Sequence, residues 1–286
     1  MTCFAGIDIG GTSVKIGFFN SGGRLLRRET LPTVIGNPEV LSDQIAAVVR
    51  QMPVARIGVG TAGAVDPEAG LVTAGNLKWR AVPLRQLLEA RTGCPVRIDN
   101  DAQAALLAEW VSGACQGAGN VVYLTLGTGI GGALILDGKP WRGHTHTAAE
   151  LGHIITHADG LPCSCSRRGC FEMYASASAL TRMSGGRSAR DVIAGAAGQE
   201  PDMVRIFQDY LHELGIGLVT LIVVFNPEVI VLGGGISAAG DILLQGCRAE
   251  IRRQFTDRPG YFLGDIRLAR HGNDAGMIGA AALAAG

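Results

Sequence analysis

The chain is predicted to be an α/β protein built from two similar lobes, and three features of its sequence lead to that prediction. Apolar runs with the character of β-strands recur four times, and each contains or ends in glycines. Segments with apolar residues three and four positions apart, the spacing of an amphipathic helix, lie between these runs. Strands that alternate with helices form sheets covered by helices. Two of the glycine-containing runs can also be aligned with each other, which indicates a duplicated lobe.

The elements follow in chain order. The strand runs are FAGIDIGGTSVKIGFF at 4–19, RIGVGTAGAV at 56–65, VVYLTLGTGIGGALIL at 121–136 and VIVLGGGIS at 229–237. The helical segments include PEVLSDQIAAVVRQM at 38–52 and DAQAALLAEWVSGA at 101–114. When Asp8 is placed on Thr125, the first and third runs each show a strand, a glycine turn and a return strand. Two such hairpins predict two lobes with facing glycine turns and a cleft between them.

Composition narrows the class of protein. Hydrophobic residues make up 47% and charged residues 17% of the 286 residues, which excludes a disordered chain. Lys and Arg total 25, as do Asp and Glu, so the net charge is zero and argues against a nucleic-acid or membrane-surface partner. Asp8 interrupts the first apolar run, so we expect no signal peptide. The longest later apolar stretch, 214–225, is shorter than the roughly 20 residues of a membrane span. Seven cysteines, an odd number, favour a reduced cytoplasmic protein over a disulfide framework.

Three glycine loops are candidates for phosphate or nucleotide binding. The first, Asp8-Ile9-Gly10-Gly11-Thr12, follows an apolar strand, and its backbone N–H groups can form a nest for phosphate oxygens. Thr12 adds a hydroxyl donor, and Asp8 could hold a water bound to Mg²⁺. The loops Gly127-Thr128-Gly129 and Gly233-Gly234-Gly235 are the second and third candidates. Neither a P-loop nor a Rossmann motif is present. The alternative is that each loop is an ordinary hairpin turn. Because the pattern recurs along the chain, this alternative is less favoured.

A cluster of polar side chains, Asp99-Asn100-Asp101, ends a predicted strand just before the helix expected from Ala102. A carboxylate beside an amide suits a general base with a hydrogen-bonding partner. The alternative is that Asn100 or Asp101 caps the helix. The residues alone leave both readings open.

One His and three Cys residues form the most specific local pattern. His153, Cys163, Cys165 and Cys170 lie within 18 residues and match a closed, structural tetrahedral Zn²⁺ site. A redox pair and free buried thiols are the alternatives, and His157 competes with His153 as a ligand. Glu150 lies one helical turn before His153, so these two side chains are expected on one face. Glu172 follows Cys170 by two positions and is expected to point away from the metal.

These motifs together resemble the ROK family of repressors, uncharacterised reading frames and sugar kinases. The resemblance covers nearly the whole chain, from DIGGT at 8–12 through DNDAQAALLAEW at 99–110 and LGTGIGG at 126–132 to ELGH at 150–153, CSCSRRGCFE at 163–172 and NPEVIVLGGGIS at 226–237. It implies the two-lobed actin-like ATPase fold, which is ribonuclease H-like. The small N-terminal lobe would span 1–115 with a helix at about 273–286 returning to it, and the large lobe with the zinc loop would span 116–272.

The resemblance also implies roles for individual residues. Asp101 matches the catalytic base, and His153 is preferred to His157 because it matches the family's zinc ligand beside Cys163, Cys165 and Cys170. The sugar ligands would be Gly63, Asn76, Asn100, Glu150, His153 and Glu172. The nucleotide side would comprise Asp8, Gly10, Gly11, Thr12, Thr128 and Gly234. The family further implies ATP with Mg²⁺, a structural Zn²⁺ and a homodimer.

Three positions depart from the commoner family pattern. Ala62 replaces a proline, and Ala149 and Ser166 replace glycines. Ala62 and Ala149 border the expected sugar pocket and therefore bear on substrate choice. The sequence favours a kinase that phosphorylates the 6-hydroxyl of glucose, with N-acetylmannosamine and N-acetylglucosamine as alternative substrates. A non-catalytic, sugar-responsive regulator is the alternative from another class, although the first strand near Phe4 is expected to leave no room for a preceding helix-turn-helix.

Overall fold

The computed structural model describes residues 3–256, 262 and 264–286. These form two compact units, the first comprising Met1–Gln116, Arg142–Ala148 and His271–Gly286, and the second Gly117–Trp141 and Ala149–Arg270. The lobe ranges 1–115 and 116–272 stay a prediction. Residues 1–2, 257–261 and 263 of those ranges lie outside the described residues.

The β-strands of the described residues carry most of the glycine-containing runs. In chain order they are Cys3–Ile9 (β1), Ser13–Asn20 (β2), Leu25–Pro32 (β3), Val54–Thr61 (β4), Ala64–Asp66 (β5), Leu71–Ala74 (β6), Trp79–Val82 (β7), Val96–Asn100 (β8), Val121–Leu126 (β9), Ile130–Leu136 (β10), Lys139–Trp141 (β11), Val229–Gly233 (β12) and Asp265–Leu268 (β13).

The α-helices lie between and after these strands. They are Pro38–Val49 (α1), Leu84–Thr92 (α2), Asp101–Ser112 (α3), Glu172–Ala175 (α4), Ala177–Met183 (α5), Ala189–Ala197 (α6), Pro201–Phe225 (α7), Asp241–Gln254 (α8) and Ala275–Ala285 (α9). Short 3₁₀ turns cover Leu151–His153, Gly235–Ala239 and Gly272–Asp274. The two helices predicted from apolar spacing therefore form, and each ends two or three residues earlier than the pattern indicated.

Each unit is built on a five-stranded sheet of the same pattern. The first sheet has the order β3-β2-β1-β4-β8 and the second the order β11-β10-β9-β12-β13. In both, the first three strands pair antiparallel with one another, the fourth pairs parallel with the central strand, and the fifth pairs parallel with the fourth. The predicted duplication is thereby confirmed at the level of topology. A small antiparallel sheet, β5-β6-β7, belongs to the first unit.

Glycines in the first sheet let helix α9 lie directly against it. A Cβ built on Gly6 would overlap the backbone of Met277 and Ala281, and one on Gly58 would overlap the carbonyl of Ala280. Any larger residue would push the helix off the sheet. This close contact brings the N-terminus of α9 to the end of β1, where a Cβ on Gly276 would lie 2.7 Å from the carboxyl carbon of Asp8.

Helix α7 is the longest helix of the described chain. By length and composition it could span a membrane, with a mean hydropathy of 1.3 over its most apolar window, but half of that window is buried inside the protein. Its buried residues, among them Tyr210, Leu214 and Leu218, form part of the main hydrophobic core of the second unit. One apolar face of α7 is thus used for packing within the unit, whereas Val223 and Val224 near its C-terminus are exposed.

Candidate functional site

The first glycine loop connects β1 to β2. The N–H of Gly10 donates to the carbonyl of Ser13 at 3.0 Å, and the hydroxyl of Thr33 donates to the carbonyl of Gly10 at 2.7 Å. These bonds hold the turn from both sides. Gly11 and Thr12 are exposed, so their N–H and hydroxyl groups are accessible to a ligand.

Asp8 lies near the end of the first strand, beside this loop, and its carboxylate is paired with the ammonium group of a lysine. The β1–β2 register places Lys15 opposite Asp8, and the Lys15 Nζ lies 3.6 Å from Asp8 Oδ2. Burial raises the pKa of Asp8, and the charge of Asp101 adds to that, whereas Lys15 acts in the opposite direction. Lys15 also donates to the carbonyl of Asn273. The loop therefore combines N–H donors, a carboxylate and an ammonium group.

Two predicted sugar-binding positions of the first unit have distinct surroundings. The side-chain nitrogen of Asn76 lies 3.5 Å from the position that a Cβ on Gly11 would occupy, so it adjoins the first glycine loop. Gly63 has a φ of 100°, and a Cβ there would overlap the carbonyl of Thr73. Only glycine fits that position.

The polar pair Asn100–Asp101 lies at the junction of β8 and α3. The side chain of Asn100 accepts from the N–H groups of Ala102 and Gln103, so Asn100 is the helix cap and the helix begins at Asp101, one residue earlier than predicted. Its side-chain amide donates to the carbonyl of Gly63 at 3.0 Å. Asp101 Oδ1 accepts from Ala102 N at 2.9 Å. Burial raises the pKa of Asp101 more than these hydrogen bonds lower it. A carboxylate with a raised pKa is a stronger base than an exposed aspartate.

An ion pair between the buried Asp99 carboxylate and the half-buried Arg142 guanidinium adjoins this junction. Arg142 donates from Nε to Asp99 Oδ2 at 3.0 Å, and its Nη2 contacts the same oxygen. Asp99 Oδ1 accepts from the backbone N–H of Asn100 at 2.9 Å. The sequence analysis did not identify Arg142, because 43 residues separate it from Asp99.

The second glycine loop connects β9 to β10 in the second unit. The carbonyl of Gly127 accepts from Ala177 N at 2.8 Å, and the carbonyl of Thr128 accepts from the hydroxyl of Ser178 at 2.7 Å. Helix α5 therefore fixes this loop through its first turn. Gly234 follows β12 with a φ of 81°, and a Cβ there would lie 2.5 Å from the carbonyl of Leu126.

The predicted zinc ligands come together in the second unit. One nitrogen of His153 and the sulfurs of Cys163, Cys165 and Cys170 all lie within 4.8 Å of one another. His153 Nδ1 is 3.7 Å from Cys163 Sγ, and Cys165 Sγ is 3.5 Å from Cys170 Sγ. Zn–S bonds of about 2.3 Å in a tetrahedron place ligand atoms about 3.7 Å apart, so this donor set fits Zn²⁺.

The thiols of this cluster differ in acidity. The backbone N–H and guanidinium of Arg167 lower the pKa of Cys165 to about 6, whereas burial raises the pKa of Cys163 and Cys170. Metal binding requires thiolates. Because Nδ1 of His153 faces the cysteines, its Nε2 is left for another partner.

Glu172 corrects one expectation. It was expected to point away from the metal, but its Oε1 lies 3.1 Å from Cys163 Sγ and 3.6 Å from His153 Nδ1. The reason is that α4 begins at Glu172, two residues after Cys170, so the first helical turn directs the side chain back to the cluster. Its Oε2 accepts from Ile130 N at 3.4 Å in the second glycine hairpin. Glu172 therefore connects the zinc cluster to that loop.

His157 does not join the cluster. Its ring stacks on Tyr174 with a centroid distance of 3.9 Å, and its Nε2 lies 3.4 Å from Glu213 Oε2 on α7. Glu150 precedes the 3₁₀ turn 151–153, where its carbonyl accepts from His153 N at 3.0 Å, and its side chain is exposed. Glu150 and His153 are thus joined through the backbone by one 3₁₀ turn, and the shared face of their side chains stays a prediction.

The predicted sugar and nucleotide residues share one property. None is buried, so each can offer polar atoms to a ligand. The sequence analysis missed Lys15, whose place opposite Asp8 follows from the register of the predicted hairpin and was therefore available as a signal. It also missed Ser178, for which the sequence holds no such signal.

Comparison with known proteins identifies the family. Residues 4–286 match the ROK family. The chain belongs to the ROK family. It is 36% identical over 306 aligned positions to the glucokinase of Streptomyces coelicolor, with 98% of this chain and 96% of that protein covered. It is 30% identical to the N-acetyl-D-glucosamine kinase of Aliivibrio fischeri, with 98% of both chains covered.

A solved structure shows the same fold. The ROK family glucokinase from Streptomyces griseus, in complex with glucose and AMPPNP, superposes with a TM-score of 0.84 at 34% identity and covers 99% of each chain. This ROK chain therefore has the two-lobed actin-like ATPase fold that its motifs predicted.

Proposed function

We propose that this chain is an ATP-dependent sugar kinase that phosphorylates the 6-hydroxyl of a hexose, with glucose favoured. The observation that carries the proposal is Asp101. It lies at the start of α3 beside the capping amide of Asn100, is half-buried, and has a pKa raised by that burial. The relatives that are glucokinases support the same activity.

Asp101 acts as the general base. It accepts the proton of the sugar hydroxyl while that oxygen forms a bond to the γ-phosphorus of ATP. The bond between the γ-phosphorus and its bridging oxygen breaks in line, and ADP leaves with the electron pair. Phosphoryl transfer depends mainly on positioning and charge neutralisation, so this step asks little else of the protein.

The sugar is held by hydroxyl-binding groups of both kinds, amides and carboxylates. In the first unit, Asn76 and Asn100 offer amide groups and Gly63 allows close approach to the backbone. In the second unit, Glu150 and Glu172 offer ionised acceptors, which make stronger hydrogen bonds than neutral ones. His153 contributes Nε2, because its Nδ1 faces the cysteines.

The nucleotide is held by the glycine loops. Gly10, Gly11 and Thr12 offer N–H and hydroxyl donors to phosphate oxygens, with Asp8 and Lys15 alongside. Thr128 and Gly234 belong to the same role in the second unit. Mg²⁺ would neutralise the charge that develops on the phosphates, and Asp8 is the carboxylate placed to hold a water bound to it.

Zn²⁺ has a structural role in this proposal. His153, Cys163, Cys165 and Cys170 would fill its four positions and leave none for substrate. The metal would thereby fix the segment from Leu151 to Glu172 that carries His153 and Glu172.

N-acetylglucosamine is the second candidate substrate, because a relative of that activity covers the whole chain. N-acetylmannosamine stays a weaker alternative. Ala62 and Ala149 bear on this choice because they flank Gly63 and Glu150. A sugar-responsive regulator without turnover is less favoured, because Asp101 keeps the surroundings of a base. We also propose a cytoplasmic homodimer without nucleic-acid or membrane partners.

A coupled assay of ADP release tests the proposal. The protein is incubated with Mg-ATP and glucose, mannose, allose, N-acetylglucosamine or N-acetylmannosamine, and the product's phosphate position is assigned by NMR. We expect the highest kcat/KM with glucose and a 6-phosphate product. A higher kcat/KM with N-acetylglucosamine than with glucose would identify N-acetylglucosamine, the second candidate, as the substrate. Zinc-loaded protein without turnover on any sugar would contradict the kinase.

A further inference from the structure

A buried carboxylate, Asp99, directly precedes the proposed sugar ligand Asn100 and the proposed base Asp101 in the chain. The side chain of Asp99 is only 6% exposed, at the end of β8. Its partner Arg142 approaches side-on, with Nε at 3.3 and 3.0 Å from the two oxygens and Nη2 on Oδ2. Such charge-assisted, forked hydrogen bonds are stronger and more directional than neutral ones.

The segment that carries Arg142 is held in the first unit. Residues 142–148 belong to that unit, although the chain before and after them belongs to the second. The carbonyl of Arg142 accepts from Ala148 N at 3.0 Å, which closes the segment into a loop. His146 of this loop lies 3.8 Å from Glu68. The Arg142–Asp99 pair is thus the strongest polar contact that this loop makes among the described residues.

The ion pair is connected to the base by short bonds. Asp99 Oδ1 accepts from the backbone N–H of Asn100, whose side chain in turn binds Gly63 O, Ala102 N and Gln103 N. Asp101 follows directly, with its carboxylate on Ala102 N. A displacement of the Asp99 carboxylate is therefore passed to the cap of α3 and to the base on its first residue.

Stability alone does not account for such a pair. Ion pairs contribute little net stability whether exposed or buried, whereas removal of Arg142 would leave the buried carboxylate of Asp99 unpaired. We propose that Arg142 is a positioning residue for phosphoryl transfer: through Asp99 it fixes the geometry of Asn100 and Asp101. This inference rests on the proposed function of Asp101 as the base.

The test uses variants of the pair in the full-length, zinc-loaded protein. Arg142→Met removes the guanidinium, Arg142→Lys keeps the charge without the fork, and the double variant D99N/R142M removes both charges. Each variant is assayed for kcat, for KM of sugar and ATP, and for the pH dependence of kcat/KM. Circular dichroism gives its melting temperature.

A matched control separates positioning from stability. Arg91 makes a similar forked contact, with Nε at 2.5 Å from Asp43 and Nη2 on Glu39, and its side chain is 22% exposed against 24% for Arg142. It joins α1 to α2 rather than the β8–α3 junction. Arg91→Met is therefore expected to change the melting temperature but not kcat.

We expect Arg142→Met to lower kcat at least tenfold, which is on the order expected for a small misplacement of a reacting group, with KM for ATP within about twofold. Arg142→Lys should keep part of the activity. The unpaired Asp99 lies two residues from Asp101, at most about 7 Å between Cα atoms. The negative charge of the unpaired Asp99 disfavours ionisation of Asp101, so the acidic limb of kcat/KM should move to higher pH in Arg142→Met. In D99N/R142M, which lacks that charge, the limb should move back to its wild-type position.

Two results would overturn the inference. One is an Arg142→Met protein with wild-type kcat and an unshifted acidic limb; the other is an equal loss of kcat in Arg91→Met. If Arg142→Met does not fold, Arg142→Lys and D99N/R142M decide by the same readouts. A wild-type protein without turnover on any sugar would contradict the proposed function as well, whereas wild-type turnover with an unaffected Arg142→Met would contradict the positioning role alone.

Discussion

The two glycine hairpins have one topology and different chemistry. In β1–β2, Asp8 lies opposite Lys15, so the hairpin carries a pair of opposite charges beside its turn. In β9–β10, the aligned position is Thr125, which lies opposite Gly131. A duplicated backbone thus supplies the turn twice, but individual side chains decide what each turn can do.

In the second hairpin, glycines leave space for a neighbouring segment of the chain. A Cβ on Gly129 would overlap Glu172 Oε2, and one on Gly132 would lie 2.5 Å from Ala149 O and from Leu151. The missing side chains make room for the segment that carries Glu150, His153 and Glu172. The first hairpin carries charged side chains of its own, whereas the second adjoins the carboxylate of Glu172, which lies against the cluster of His153 and three cysteines.

Metal removal should therefore affect the two units unequally, and we expect it to have the largest effect. Chelation, or Cys165→Ser, should lower the free energy of unfolding by about 4 kcal/mol or more, because structural zinc contributes folding energy directly. Hydrogen exchange should rise in 151–172 and stay low in β1 and β2. Cys94→Ser is the control, since its side chain can still donate to Val54 O. Metal-free protein with unchanged melting would contradict this.

Gly132→Ala tests the need for a bare second hairpin. The added methyl meets the backbone of Ala149, which cannot move away as a flexible side chain can, so we expect a loss of about 2 kcal/mol. Calorimetry should show a melting temperature about 5 °C lower. A Cβ on Gly127, in the same hairpin, has no neighbouring atom within 4 Å, so Gly127→Ala should change the melting temperature far less. Equal effects of the two variants would show that the close contact does not matter.

The pH profile sharpens the role of the first unit. A general base must be ionised to act, and burial raises the pKa of Asp101 above the ordinary aspartate value of about 3.9. Activity should therefore be lost as pH falls through a value above that of an exposed aspartate. The measurement is kcat/KM for glucose between pH 4 and 8, in the range where the fold is intact by circular dichroism. An acidic limb at or below 3.9 would contradict the burial of the base.

Ser166→Gly should have the smallest effect on the free energy of unfolding, and it should stabilise the protein. Ser166 is exposed with a φ of 69°, a conformation that costs a non-glycine residue about 1 kcal/mol or more. After the extra entropy of glycine in the unfolded chain, a gain of about 0.5 kcal/mol should remain. Ser164→Gly, two residues earlier and without a positive φ, should instead destabilise slightly. Chemical denaturation distinguishes the two signs.

Much of this architecture could be predicted from the sequence, because glycines after apolar runs and helical apolar spacing are local signals. The clustering of His153 with Cys163, Cys165 and Cys170 was predictable for the same reason, since the three cysteines lie within eight positions. Ala149 and Ser166, the two positions where the resemblance implies glycine, both have a positive φ, a conformation that glycine adopts most readily.

The remaining features depend on contacts between distant residues. Arg142 pairs with Asp99 although 43 positions separate them, and no periodic pattern in the sequence predicts that pairing. Glu172 turns to the cluster because α4 begins at that residue, and helix starts are uncertain by a residue or two from sequence. His157 was a possible ligand by spacing, but its stacking on Tyr174 and its contact with Glu213 depend on how α7 packs.

The most direct test of the account compares wild type with Asp101→Asn in both turnover and binding. Asparagine keeps the size of the side chain but cannot accept the proton. We predict that ADP release with glucose falls at least a hundredfold, on the order that a general base contributes, while calorimetric binding of glucose and ATP stays within about threefold. Turnover within a factor of ten of wild type in the variant would contradict the assignment of Asp101 as the base.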